Sequence, residues 1–307
     1  MIILTLGGGL GNQMFQYAFA RKLQKETGDE TLKFTGYHLR GTGNSEKMLF
    51  NLNIRDGITF CTEEEQREVE RVQEKALKGL HYYKVLSRHL WRGAAPWKLY
   101  QLSKKGIYST YSAYNVQKYE ISHAPVKYVE GAYQTHLYWE DMIPELREEL
   151  KVKTAPSEEN KKLIAEMAGC ESVCVHIRRG DYLAPEFAHL NVCDEKYYME
   201  AMTKMKAQKP DAVFYIFTNN HKEVEWIREH YNFDGFTVRY VDLDNPDYEE
   251  LRLMYSCKDF IISNSTYSWW GQFLSDNPDK IVMAPGVWNR EMNADGIYMK
   301  EWQVIEV

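Results

Sequence analysis

Val173-Cys174-Val175-His176-Ile177-Arg178-Arg179-Gly180-Asp181-Tyr182 decides how this chain is read. A short apolar run that ends in charge and then glycine reads as a buried strand delivering its end to a turn. Side chains alternate across a strand, so His176 and Arg178 share one face while Ile177 and Arg179 share the other. One arginine can therefore face a ligand. Guanidinium is always charged and offers a planar fork of donors, which suits a phosphate or diphosphate better than lysine does. A surface ion pair between Arg179 and a nearby carboxylate is the competing explanation of the Arg-Arg pair.

Around this stretch, the carboxy-terminal half alternates strands at 173–178, 212–218, 237–241, 259–263 and 280–284 with helices at 195–207, 221–231, 247–257 and 266–276. That order predicts an α/β unit with a parallel sheet covered on both faces. Ligands in such sheets bind outside the carboxyl ends of the strands, where the arginine stretch lies. A second loop of the same kind comes after Asp259-Phe260-Ile261-Ile262-Ser263. There Asn264, Ser265 and Thr266 open a helix whose free amide N–H groups and positive dipole end can cradle an anion. Ser265 or Thr266 acting only as a helix cap, with Trp269 and Trp270 filling the core, is the alternative. Glu250 stands at the start of the preceding helix. A carboxylate there can accept from the N1–H and 2-amino groups of guanine, or serve simply as a favourable acid in a first helical turn.

The amino-terminal half opens with a strand at 2–6, a glycine turn at 7–11, a helix at 12–27 and a strand at 32–37. Thr62 and Glu65 form a capping box for a charged helix running to about residue 78. Residues 79–119 contain no Asp or Glu, yet Lys84, Arg88, Arg92, Lys98, Lys104, Lys105 and Lys118 lie there among nine Tyr and Trp residues. Thr154-Ala155-Pro156-Ser157 is the expected linker, because Pro disfavours helix before it and Ser157 can cap the helix after it. The expected domains are 1–154, Rossmann-like with a helical insertion at 62–119, and 155–307.

At 307 residues, 44% hydrophobic and 27% charged, the chain has the composition of a globular protein of two domains. The 14% aromatic content suits stacking on sugars or bases. A net charge of -6 excludes a general nucleic-acid binder, which needs a broad basic surface. Cys61, Cys170, Cys174, Cys193 and Cys257 have no Cys-x-x-Cys spacing and read as reduced thiols rather than a zinc or disulfide framework. No basic leader and no apolar run of membrane-spanning length is present, so the expected location is the cytoplasm.

Three stretches taken together resemble the α-1,2-fucosyltransferases, glycosyltransferase family 11 in its bacterial form. His176 to Tyr182 is similar to their His-x-Arg-Arg-Gly-Asp-Tyr box. Phe260-Ile261-Ile262-Ser263-Asn264-Ser265-Thr266-Tyr267-Ser268-Trp269-Trp270-Gly271 is similar to their second box, and Gly8-Gly9-Leu10-Gly11-Asn12-Gln13-Met14-Phe15-Gln16-Tyr17-Ala18 to their amino-terminal signature. The boxes fall in the family's order over nearly the whole chain. The resemblance implies a GT-B-like fold of two Rossmann-type domains with a cleft between them. GDP-β-L-fucose would sit mainly on the carboxy-terminal domain and a glycan acceptor, free or lipid-linked, in the cleft. It also implies that Arg178 binds the β-phosphate and stabilises departing GDP, that His176 and Glu250 contact guanine, and that Asn12 faces the reaction centre. Gly11 and Gln13 of the signature, and Asn264, Ser265 and Thr266 of the second box, join the donor contacts. The implied reaction is inverting transfer of fucose to the 2-OH of a terminal galactosyl acceptor, with no cofactor and no divalent metal.

The chain departs from the family pattern in two places. Thr218-Asn219-Asn220 replaces a Ser-Asp-Asp common in the family, and Gly131-Ala132-Tyr133-Gln134 only approximates its Gly-Tyr-x-Gln. Asp181, Glu186 and His189 lie near the arginine loop as candidate bases for the acceptor hydroxyl, and Asp181 can instead hold an arginine. Asp242-Leu243-Asp244 matches a metal motif of other glycosyltransferases but reads as a polar turn before Asn245-Pro246. A transferase for another GDP-sugar and a non-catalytic nucleotide-sugar binder are the competing functions. Residues 79–119 suit peripheral contact with an anionic inner membrane surface, or else form acceptor-domain helices with solvated lysines.

Overall fold

The computed structural model describes residues 1–40, 42–90 and 93–307; Gly41, Trp91 and Arg92 lie outside it, as do the side chains of Leu77, Arg88 and His89. The chain forms two compact units. The first comprises Met1–Glu149 with Asp295–Ile297, and the second Leu150–Ala294 with Tyr298–Val307. The boundary thus falls five residues before the expected linker, at Glu149/Leu150. Residues after it are held by the second unit: the Thr154 carbonyl accepts from Arg252, and Lys151 pairs with Asp276 at 2.8 Å.

The first unit is a five-stranded parallel sheet, order β3-β2-β1-β5-β4, made of β1 (Ile2–Thr5), β2 (Leu32–Thr35), β3 (Thr59–Phe60), β4 (Ile107–Tyr108) and β5 (Lys127–Val129). β1 is buried throughout, as a central parallel strand must be. Helix α1 (Leu10–Thr27) follows its glycine turn and stops at Gly28, whose φ of +69 supplies the left-handed cap. Its buried Arg21 is matched by Glu149 at 2.8 and 2.9 Å, and Tyr17 donates to the same carboxylate. The capping box of Thr62 and Glu65 opens α2 (Glu63–His89), and α3 (Ala94–Ser103) comes next. The helical insertion therefore ends at Ser103 rather than at residue 119. Gly106, with φ +78, turns the chain into β4, and no helix forms between there and β5. Short α4 (Ile143–Glu149) closes the unit.

Many of the aromatic residues serve packing rather than a sugar platform. Phe19 stacks on Tyr133 at 3.9 Å and meets Tyr138 and Tyr119 edge-on. That stack holds Tyr133 at φ +50, a left-handed conformation unusual for a bulky residue. Asp295–Ile297 packs here too: the Gly296 N–H donates to Asn115 Oδ1 at 3.2 Å and its carbonyl accepts from Thr135.

The second unit is a six-stranded parallel sheet, order β11-β10-β9-β6-β7-β8. Its strands are β6 (Glu171–His176), β7 (Ala212–Phe217), β8 (Thr237–Tyr240), β9 (Asp259–Ile261), β10 (Val282–Pro285) and β11 (Gln303–Ile305). Its helices are α5 (Glu158–Ala168), capped by Ser157, α6 (Glu195–Gln208), α7 (His221–His230), α8 (Asp247–Tyr255) and α9 (Thr266–Leu274). Val173, Val175 and Ile177 join Tyr197, Tyr198, Met202 and Met205 of α6 in one core. Strand order runs outward from β6 through β7 and β8, then resumes on its other side with β9. The topological switch point is therefore the β6/β9 pair, where open α/β sheets take ligands.

Candidate active site

Both boxes of the second unit leave the sheet at that switch point. Ile177 still donates to the Phe217 carbonyl at 2.8 Å, so the alternation of β6 persists one residue beyond the strand and separates the two arginines by face. Arg179 is anchored: its Nε donates to Glu223 at 2.8 Å, and its guanidinium lies 3.2 Å from the centroid of Trp226. Asn219 accepts the Arg179 N–H at 3.0 Å, giving the departed family position a structural task. Gly180 turns the chain with φ +43, and a Cβ there would meet Asn219 at 3.1 Å.

Arg178 is the arginine left for a ligand. Its Nη2 donates to Asp181 at 2.6 Å, whereas its buried Nε has no hydrogen-bond partner among the described residues. A buried guanidinium donor without a partner costs about 1–3 kcal/mol, which an incoming anion would recover. Asp181 thus holds an arginine. Of the other base candidates, Glu186 is exposed on a 3-10 turn and His189 uses its carbonyl to accept from the Arg290 N–H at 3.0 Å.

His176 faces α9. Its Nδ1 lies 2.7 Å from Ser268 Oγ and 3.2 Å from Ser263 Oγ, while the Ser263 N–H donates to Ser268 Oγ at 3.2 Å. Burial, with the Arg178 charge next, pushes the imidazole down to about 3, so it is neutral at physiological pH. It fastens the strand end to the helix start.

Ser265 caps α9 by accepting from the Tyr267 N–H at 3.3 Å, and Thr266 is the first helical residue. The tryptophans fill the core, in line with the simpler of the two expectations: Trp269 and Trp270 are wholly buried. Asn264, expected among the residues that bind the sugar donor, spends its side chain on neighbours within the second unit. Its amide donates to the Leu190 and Trp288 carbonyls at 2.7 and 2.9 Å, and its Oδ1 accepts from Cys193. Asn264→Ala should therefore lower stability in urea unfolding by about 2 kcal/mol, since a buried and a part-buried carbonyl lose their donor; an unchanged midpoint would contradict this.

Glu250, on α8, is a half-buried carboxylate that forms no hydrogen bond or ion pair with its side chain among the described residues. Burial, then the charge of Asp247, raises it to about 7, with Arg178 pulling the other way. A perturbed acid beside a ligand-ready arginine marks a functional locus. Asp242 pairs with His221 at 2.8 Å, and Asp244 is exposed.

In the first unit the glycine turn lies beyond β1, next to β5 in the sheet. Asn12 Oδ1 accepts from Gln134 at 2.9 Å across this switch point. Gly8, with φ +72, would carry a Cβ 2.3 Å from Asn12 Nδ2 and so cannot be replaced without moving Asn12. Gly11 is a buried residue of the first turn of α1. Gln13, expected among the residues that bind the sugar donor, is wholly buried, and its Nε2 donates to the Gly8 and Ser45 carbonyls at 3.0 Å each. The sequence reading missed His38, which lies 3.2 Å from Glu130 beyond the ends of β2 and β5, and Glu223 with Trp226 beneath Arg179. Only the approximate Gly-Tyr-x-Gln match signalled Gln134.

A family description of Glycosyl transferase family 11 matches residues 1–306. The chain belongs to this family. Within curated proteins it is similar to the O-antigen biosynthesis glycosyltransferase WbnK of Escherichia coli, with 29% identity over 97% of this chain and 98% of that one. It is also similar to an alpha-1,2-colitosyltransferase of Escherichia coli, with 27% identity over 100% and 99% of the two chains. Among solved structures, fucosyltransferase NodZ from Bradyrhizobium matches with a TM-score of 0.53 and 14% identity, covering 92% of this chain and 94% of its own. That likeness shows the fold, α/β and GT-B-like with two Rossmann-type units. The family 11 protein is a glycosyltransferase, and its two boxes form the switch-point loops of the second unit.

Proposed function

We propose that this protein moves L-fucose from GDP-β-L-fucose to the 2-OH of a terminal galactosyl acceptor, with inversion and without a metal. The observation that carries the reading is Arg178, a guanidinium with an unspent buried donor at the β6/β9 switch point, beside the start of α9. The acceptor oxygen forms its bond to C1 of fucose while the C1–O bond to phosphate breaks. The electron pair leaves with GDP and the hydroxyl proton passes to a base or to solvent. Charge growing on the departing diphosphate meets Arg178 and the amide N–H groups of α9, which are already in place and need no rearrangement. Glu250 accepts the two guanine N–H donors, and Asn12, held by Gln134, serves the acceptor side.

The relative named as a colitosyltransferase supports a second reading, in which the donor carries a different sugar. Incubating GDP-fucose and other GDP-sugars with lactose, N-acetyllactosamine and galacto-N-biose, with NMR of the product, decides between them. The expected product is 2-O-fucosyl galactose, formed equally well in EDTA. Dependence on Mn²⁺ would overturn the metal-free step, and no GDP release with any acceptor would make the protein a binder.

A further inference from the structure

The acid-free segment borders a feature that sugar transfer does not use, to which Arg71, Val72, Lys75 and Ala76 also contribute. Between α2 and α3 in the first unit lies a cavity of about 380 Å³, a volume ordinary for a small-molecule site. Its floor is apolar, built from Val72, Leu102 and Ile107, and its rim carries Lys75, Lys98 and Lys105. None of these three lysines pairs with a carboxylate among the described residues; Arg71, also at the rim, is bound to Glu68 at 2.8 Å. Gly79 lines the cavity from the middle of α2, where glycine is the poorest ordinary helix former. A Cβ built there has only Lys98 Cε nearby, at 3.9 Å, so a larger side chain would enter the cavity.

The surroundings are amphipathic in the same sense. Tyr82, 66% exposed, follows Gly79 by about one turn, and Trp97, 44% exposed, adjoins Lys98; Leu90, between the helices, is 84% exposed. Cations above an apolar floor, next to exposed aromatic and aliphatic side chains, complement an anionic head joined to an apolar body. We propose that this cavity binds the headgroup of an acidic phospholipid at a bilayer surface, with the flanking apolar side chains entering the interface. Net charge of -6 on the whole chain makes the basic segment a local anchor rather than part of a general polyanion surface.

Flotation with vesicles of phosphatidylcholine, with and without phosphatidylglycerol, tests this independently of donor and acceptor. The expected result is binding only to the phosphatidylglycerol vesicles, weakened by salt. The double variant Lys98→Gln, Lys105→Gln should bind roughly 30-fold more weakly, from about 1 kcal/mol for each lysine. Gly79→Leu, which favours the helix while filling the cavity, should lose the phosphatidylglycerol-dependent binding at an undiminished melting temperature. Both variants should keep transfer to a soluble acceptor. Absence of binding to anionic vesicles, or binding that survives both changes, overturns the proposal. So does glycerol phosphate in solution raising the melting temperature as much as the vesicles do, because the site would then take a free phosphate.

Discussion

Arg178→Lys should lower kcat for fucosyl transfer by about 10²–10³-fold, the usual cost of removing one pre-positioned donor from a developing anion. Lysine keeps the charge but replaces the planar fork with a single ammonium group. Asp181, 2.6 Å from Nη2, orients that fork, and the unspent Nε lies on the buried side. A diphosphate can engage both only if the guanidinium is planar and held. The loss should therefore appear in kcat, with a smaller change in donor KM, because charge on GDP is greatest at the transition state. Arg179→Lys makes the informative contrast: it breaks the bond to Glu223 and the stack on Trp226, so its main effect should be on stability. Near-normal turnover by Arg178→Lys in steady-state assays would remove Arg178 from the leaving-group role.

Glu250→Gln should weaken GDP binding by about 100-fold in calorimetry, since two hydrogen bonds to a charged acceptor are lost at about 1.5–3 kcal/mol each, less what the amide recovers. Selectivity for GDP over ADP should fall with it. The pH dependence provides a second signature. Glu250 is raised to about 7, so it gains a proton as pH falls through 7, and donor KM should rise about tenfold per unit below that value. In Glu250→Gln this limb should vanish. Stability runs the opposite way. A raised carboxyl contributes stability that is fully present below its ordinary value and lost as pH rises through about 7. The free protein is thus weakened by this group at pH 8, where GDP should raise its melting temperature more than at pH 6. A flat KM profile across that range would show that the guanine contact lies elsewhere.

How much of this was legible in the sequence depends on the range of the interaction. Strands β6 to β10 and helices α6 to α9 of the second unit were readable because runs such as Val173-Cys174-Val175 and the helical patterns between them are local. That Arg178 and Arg179 face opposite sides follows from the two-residue period, whereas the choice of Arg178 for the ligand rests on the family resemblance. β4 and β11 were not readable: Ile107–Tyr108 and Gln303–Ile305 are too short to show a pattern and exist through pairing with β5 and β10. Asn264 looked like a ligand residue because its donors stand at a helix start. The carbonyls that consume them, on Leu190 and Trp288, are 74 and 24 residues away. Glu250 carried no local mark beyond its place in a first helical turn, since its altered acidity comes from burial in the folded unit.

The return of Asp295–Ile297 to the first unit bears on the order in which the protein is made. A ribosome delivers residues 1–149 first, yet Asn115 and Thr135 wait for Gly296 until almost the whole chain has emerged. The first unit can collapse early but cannot complete its packing before the second has been synthesised. No single cut in the chain yields both units whole, and a nascent chain stalled before residue 295 leaves the Tyr114 backbone, against which Gly296 fits too closely for any Cβ, without its neighbour.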